Sequence, residues 1–327
     1  MTETSIKSEA MRLVARVDEL RAALNRQVLG QEALVDDLLV AILAGGHVLL
    51  EGLPGLGKTL LVRALGRGLG LQYARIQFTP DLMPADITGT TVVDESGGKR
   101  SFRFQPGPIF AGLVLADEIN RATPKTQAAL LEAMQESQVT IEGQSFPLAQ
   151  PFLVIATQNP IELEGTYPLP EAQLDRFLLR VGIGYPGPEA EREILKIRRE
   201  RRTDAVTVPV LVSRAELLAM QAALEDVFVS DPIEHYIVAL AQTTRSDPRV
   251  ALGASPRGTL AVLKLARAEA AIRGRDFVLP DDVKAVAVAA LAHRLVLRPE
   301  LWVSRTTPVA VVESLLREVP APAAEPA

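Results

Sequence analysis

The chain has 327 residues, 48% of them hydrophobic, 23% charged and 4% aromatic, with a formal net charge of −5. This composition describes a folded globular protein of one large or two ordinary domains and excludes disordered and collagen-like classes. Cysteine is absent, which excludes disulfides, thiol catalysis and cysteine-type zinc sites, and the acidic balance weighs against nucleic acid as the main partner.

The first residues, Met1 to Asp18, carry scattered charges and no apolar signal segment. The most apolar stretch, Leu38 to Leu50, is too short to span a bilayer and is interrupted by Gly45, Gly46 and His47. A cytoplasmic protein without membrane insertion is expected. From Arg12 to Ala44 apolar residues recur at three- and four-residue intervals, which predicts two helices separated by the break Val28-Leu29-Gly30-Gln31. His47 to Glu51 then reads as a short buried strand, followed by a glycine-rich loop and a helix over Leu60 to Leu69.

Further short apolar strands are predicted at Tyr73 to Phe78, Leu113 to Ala116 and Phe152 to Thr157, with a helix over Lys125 to Glu136. Their apolar runs suit strands buried on both faces of a parallel sheet, and the alternation with helices predicts an α/β sandwich. Two segments alternate with period two and predict hairpins. The first runs through Thr90 to Val93, turns at Ser96 to Lys99 and returns along Ser101 to Phe104. The second runs through Gln138 to Ile141, turns at Glu142-Gly143-Gln144 and returns through Ser145 to Leu148. After Tyr185-Pro186-Gly187-Pro188 the chain reads as helical, with no further strand series. The expected organisation is an αβα domain over 1–187, a helical domain over 188–319 and a disordered tail of Pro and Ala over 320–327.

Residues Gly52-Leu53-Pro54-Gly55-Leu56-Gly57-Lys58-Thr59 match G-x-x-x-x-G-K-[ST] in full. In such a loop the backbone N–H groups and the following helix dipole cradle phosphates. Lys58 is expected to neutralise the β- and γ-phosphates, and the Thr59 hydroxyl to be a ligand for Mg²⁺. The strand ending in Asp117-Glu118 brings two carboxylates to the carboxyl edge of the sheet. There Asp117 is expected to hold the Mg²⁺ shell and Glu118 to act as general base on a water. The strand from Phe152 exits into Gln158-Asn159-Pro160, where Asn159 can both donate to a γ-phosphate and accept from a water. Arg176 and Arg257 are candidates for stabilising charge on the transferred phosphoryl group, although on composition alone a surface ion pair is the commoner explanation for either.

Together the segments His47 to Thr59, Ala116 to Ala122, Ala156 to Pro160, Glu164 to Phe177 and Ser255-Pro256-Arg257-Gly258 resemble the MoxR family of AAA+ ATPases, over about Gln27 to His293. The resemblance implies a three-layer αβα P-loop core with two β-hairpin insertions, an all-α lid, and assembly as a ring, usually hexameric. It implies that ATP and Mg²⁺ are bound, with Gly52, Pro54, Gly55, Leu56, Gly57, Lys58, Thr59 and Leu60, together with Val28 and Gly30, around the nucleotide. By position, Asn159 corresponds to sensor 1, Arg257 to sensor 2 and Arg176 to an arginine finger acting on the neighbouring subunit. The role of Arg257, in its own subunit or across the interface, stays open, and Arg121 is expected at that interface.

Family members are chaperone-like machines that mature, activate or insert metal into client proteins, often beside a partner with a von Willebrand factor A domain. Other functions compatible with the same motifs are a DNA-dependent motor of the MCM type and the ATPase subunit of a magnesium chelatase. The first hairpin turn carries Lys99 and Arg100, whereas the second carries no basic residue, which weighs against DNA.

Overall fold

The computed structural model describes residues 15–94, 101–161, 165–203, 207–304 and 306–323, with side chains for all of these except 94, 101 and 302–304. Two helices come first, α1 over residues 15–25 and α2 over Glu32–Leu43. Helix α2 buries Leu34, Val35 and every residue from Leu38 to Leu43. A helix that is apolar on nearly all sides must be enclosed, and α2 is packed by strands on one flank and by C-terminal helices on another.

In chain order there follow β1 (Val48–Glu51), α3 (Lys58–Gly68), β2 (Tyr73–Gln77), α4 (Pro84–Thr88), β3 (Gly89–Asp94), β4 (Ser101–Pro106), β5 (Leu113–Asp117), α5 (Pro124–Glu136), β6 (Gln138–Ile141), β7 (Gln144–Pro147), β8 (Leu153–Gln158), α6 (Glu171–Leu174) and β9 (Leu179–Gly182). Five of these strands form one parallel sheet in the order β2-β5-β8-β1-β9. Alternate residues enter two separate cores. Val48, Leu50, Leu113 and Leu115 pack with α2 and α3, while Leu49, Val114 and Ala116 pack with α4 and α5. Leu113 to Ala116 are fully buried, each large side chain contributing about 1.5–3 kcal/mol. This is the predicted three-layer αβα arrangement.

Two readings of the strands need correction. Strand β2 pairs only with β5 and buries only Ile76, so it is an edge strand and not one covered on both faces. Its Arg75 and Gln77 are polar because that edge reaches the functional site. Strand β9, which completes the sheet beside β1, was not predicted, because its four residues give too short an apolar run to separate from the neighbouring loop.

Both hairpins form. Strands β3 and β4 pair from Gly89↔Pro106 to Asp94↔Ser101; the predicted turn, with Lys99 and Arg100, lies outside the described residues. Strands β6 and β7 close through Glu142 and Gly143, both with positive φ, so the turn is one residue tighter than predicted and Gln144 already pairs with Ile141. The hairpins lean on each other through Phe104 and Phe146, stacked at 4.2 Å between centroids.

The remaining chain forms α7 (Pro188–Arg201), α8 (Arg214–Ala223), α9 (Asp231–Ser246), β10 (Val250–Leu252), α10 (Pro256–Ile272), α11 (Pro280–Leu291), β11 (Val296–Leu297) and α12 (Pro308–Glu318). Helix α10 packs on α9, α11 and α2, and α12 covers α9 and α11. The antiparallel pair β10–β11 corrects the expectation of a strand-free segment; its strands are too short to leave a period-two signal. Of the expected tail, 324–327 lie outside the described residues.

His47, just before β1, ties the layers together. Its Nδ1 accepts the Val154 N–H at 3.0 Å and its Nε2 donates to the Met134 carbonyl at 3.1 Å. Burial lowers its pKa to about 4. Between that value and the ordinary 6.5 the unfolded chain takes up a proton that the folded chain refuses. The contribution of His47 is therefore whole above pH 6.5 and is lost as pH falls toward 4, by up to roughly 3 kcal/mol. Denaturation midpoints measured from pH 7 to pH 4 should fall less steeply in His47→Gln than in the parent; equal slopes would show that His47 does not couple folding to pH.

Candidate functional site

The carboxyl ends of β1, β5 and β8 stand side by side, and each delivers a polar segment to the same edge of the sheet. The chain turns out of β1 through Gly52 to Gly57. Gly55 and Gly57 adopt φ of +84° and +83°, the left-handed region that glycine enters without strain, and Gly57 caps α3. Lys58, buried, donates from Nζ to the Gly52 carbonyl at 2.6 Å. Burial lowers its pKa, and the nearby carboxylates of Asp117 and Glu118 oppose that shift. Thr59 and Leu60 follow in the first turn of α3, half-buried, while Pro54 is exposed and Leu56 packs against the core.

Gly52 lies against Ile183, so that a β-carbon would fall 2.2 Å from Ile183 Cγ2. Gln31 Nε2 reaches the Gly184 carbonyl at 2.8 Å, and Gly30 lies against Pro186 and Ala190. The break holding Val28 and Gly30 therefore flanks the same exit from β9 as the glycine loop does. Val28 itself is buried in the apolar core.

Asp117 ends β5 with its carboxylate shared between two partners. Oδ1 accepts the Thr157 hydroxyl at 2.7 Å. Oδ2 accepts both Arg75 Nη2 at 2.6 Å and Arg75 Nε at 3.1 Å. The next residue, Glu118, is in the left-handed region at φ +58°, a conformation that costs a side-chain-bearing residue of order 1 kcal/mol and collects at functional sites. It is held there by its N–H on Thr157 Oγ1 at 2.9 Å. The Glu118 Oε2 accepts Gln77 Nε2 at 2.9 Å and Arg121 Nη1 at 3.0 Å. Arg121 thus contacts the carboxylate within its own chain. Asn159 is buried after β8, and its Oδ1 accepts the Ile161 N–H at 3.2 Å, closing a side-chain turn.

The long segment before β9 is gathered to the same place. Tyr167 N–H donates to the Asn120 carbonyl at 2.6 Å, and the buried Gln127 amide bonds both Ile119 and Tyr167 carbonyls. Arg176 borders a small cleft along α5 with Leu131, Glu132 and Gln135. Among the described residues its buried Nε has no hydrogen-bond partner. Arg257 is exposed at the start of α10. It lies near enough to Arg294 to lower that guanidinium's pKa, a shift led by burial and opposed by Asp175.

Family profiles agree with this geometry. That of the ATPase family associated with various cellular activities (AAA) matches residues 47–179, and that of the AAA lid domain matches 242–315. Chaperone MoxR1 of Mycobacterium tuberculosis is 45% identical over 322 residues, covering 95% of this chain and 84% of the relative. The chain belongs to the MoxR family of AAA+ ATPases. A protein named MoxR from Methylorubrum extorquens is 34% identical, covering 91% of this chain and 92% of that one. A crystal structure from Cytophaga hutchinsonii superposes with a TM-score of 0.89 at 38% identity, with 98% of each chain covered. As a MoxR-type AAA+ ATPase, the protein binds and hydrolyses nucleotide.

Arg75, Gln77 and Thr157 were not singled out from sequence. Arg75 and Gln77 stand two apart on one strand face, so their polar alternation was the available signal; Thr157 looked like the last residue of an apolar strand. Thr157→Val keeps the shape but leaves Asp117 and the Glu118 N–H without their shared partner. It should lower stability by roughly 1–3 kcal/mol and slow ATP turnover, whereas Thr157→Ser should retain both; a fully stable and active Val variant would show the bridge to be dispensable.

Proposed function

We propose that ATP lies along the loop from Gly52 to Thr59, beside Leu60 and the Val28–Gly30 break, and that its β–γ bond is cleaved by residues of two subunits. The observation that supports this reading most directly is the meeting of Lys58, after β1, with Asp117 and Glu118, at the end of β5, across the end of β8 that lies between them. The oxygen donors of Thr59 and Asp117 suit Mg²⁺, which prefers hydroxyl, carboxylate and water ligands. Those two residues would hold the ion, which when bound supplies positive charge to the phosphates. Arg75 then has to release the Asp117 Oδ2.

In the proposed reaction Glu118 takes the proton of a water as its oxygen attacks the γ-phosphorus, and the bond to the β-phosphate oxygen breaks to leave ADP and phosphate. Asn159 commits its carbonyl oxygen to a turn, so the donor end of the amide is what it has to offer the γ-phosphate. Lys58 and Arg257 neutralise developing charge. Arg176, which lines the cleft along α5 and has no partner at Nε among the described residues, serves the nucleotide of a neighbouring subunit in a ring, for which a hexamer is proposed.

The work of hydrolysis is proposed to be chaperone-like remodelling of client proteins, with a von Willebrand factor A domain protein as companion. The name of the relative Chaperone MoxR1, 45% identical, supports this. The cytoplasm is the proposed compartment, since ATP is supplied there.

Glu118→Gln should bind ATP and lose roughly 10²–10⁴-fold in turnover; retained turnover would reject Glu118 as the base. Arg176→Ala and Lys58→Ala proteins should each be inactive alone and regain activity when mixed. An intact site on an Arg176→Ala subunit then receives Arg176 from a Lys58→Ala neighbour, and no recovery would rule out action in trans. Many-fold stimulation of turnover by DNA would overturn the protein-client reading.

A further inference from the structure

One charged cluster lies outside the nucleotide loop and joins the segment carrying Arg176 to the helix carrying Arg257. Arg294, just after α11, is buried with 3% of its side chain exposed. Its Nε donates to Asp175 Oδ1 at 2.8 Å. Its Nη2 donates to the Phe177 carbonyl at 2.7 Å and to the Asp175 carbonyl at 3.4 Å, and its Nη1 to the carbonyls of Leu178, at 3.2 Å, and Ala290. One planar guanidinium thus grips the main chain on both sides of Arg176. His293 adds a bond from Nε2 to the Phe177 carbonyl at 3.2 Å.

The other oxygen of Asp175 faces α10. Ser255 Oγ donates to Asp175 Oδ2 at 3.0 Å and accepts the Arg257 N–H at 3.2 Å as the helix cap. Gly258 belongs to the same arrangement. A β-carbon there would stand 3.0 Å from Arg294 Cδ and 3.3 Å from Ala254 Cβ, so glycine leaves the space through which the Arg294 stem passes.

We infer that Asp175 and Arg294 are positioning residues for ATP hydrolysis, forming a buried latch that sets Arg176 and Arg257 relative to each other across the junction of sheet and C-terminal helices. The inference rests on the proposed roles of those two arginines. The physical case is that the Asp175 carboxylate bonds Ser255 and Arg294 at once, so a shift of the Arg176 segment takes the buried Arg294 guanidinium from its partner, and a shift of α10 breaks the Ser255 bond. Movement of α10 when nucleotide binds or leaves is thereby passed to Arg176, which faces the next subunit.

The test uses the full chain, with steady-state ATPase kinetics, affinity for a fluorescent ATP analogue, sedimentation and thermal unfolding. Asp175→Asn, Ser255→Ala and Gly258→Ala are compared with Arg176→Ala and Arg257→Ala. The latch predicts that Asp175→Asn lowers kcat about tenfold, with analogue affinity within about twofold of the parent and unchanged assembly.

Gly258→Ala and Ser255→Ala remove no charge, and they should reproduce the fall in kcat in milder form should Asp175→Asn fail to fold. Parent-like kcat in folded Asp175→Asn, or in both milder variants, overturns the latch while leaving the finger reading intact. Parent-like kcat in Arg176→Ala and Arg257→Ala instead overturns the reading beneath it.

Discussion

Both faces of the five-stranded sheet are covered by helices, and this constrains everything else. A strand enclosed on two sides can carry polar side chains only where it ends, and in a parallel sheet all the carboxyl ends lie along one edge. Asp117, Glu118 and Asn159 follow directly from that geometry, the first ending β5 and the others directly after β5 and β8, and Lys58 stands where the loop out of β1 enters α3. Thr157 is the exception that makes the edge rigid. Fully buried, it spends its hydroxyl on the Asp117 carboxylate and the Glu118 N–H, and so binds β8 to β5 where their chemistry begins.

The acidic pair is held by cations and amides of its own chain. Arg75 pairs with Asp117, and Gln77 and Arg121 pair with Glu118. A carboxylate at a half-buried sheet edge needs such partners, since desolvated charge without them is costly. Lys58 meets the same requirement by bonding Gly52. Each of these contacts uses an atom that the proposed reaction also needs. The edge position of β2 makes this possible, because its polar residues remain half in solvent.

The C-terminal helices are joined to the sheet by two different means. Helix α2 supplies an apolar layer that both sides share, which is strong but without direction. The Asp175–Arg294–Ser255 cluster supplies a directional bond at one point. The first holds the parts together, and the second defines where α10 and its Arg257 stand. The two hairpins project elsewhere and lean on each other through stacked aromatic rings.

Local pattern alone determined the glycine loop, the strand ending in two carboxylates, both hairpins and the helical nature of the second half. These depend on period, on turn residues and on spacing within a few positions, all of which are written along the chain. Asn159, Arg176 and Arg257 were candidates from their places along the chain, and the family resemblance then gave them roles. Only the tertiary structure decided that β2 is an edge, that residues 179–182 form a fifth strand, and that Arg75, Gln77 and Arg121 contact the acidic pair. Only it joined Asp175 to Ser255 and Arg294, 80 and 119 positions away. Such pairings depend on strand order and on which elements close over one another, and no short-range periodicity records either.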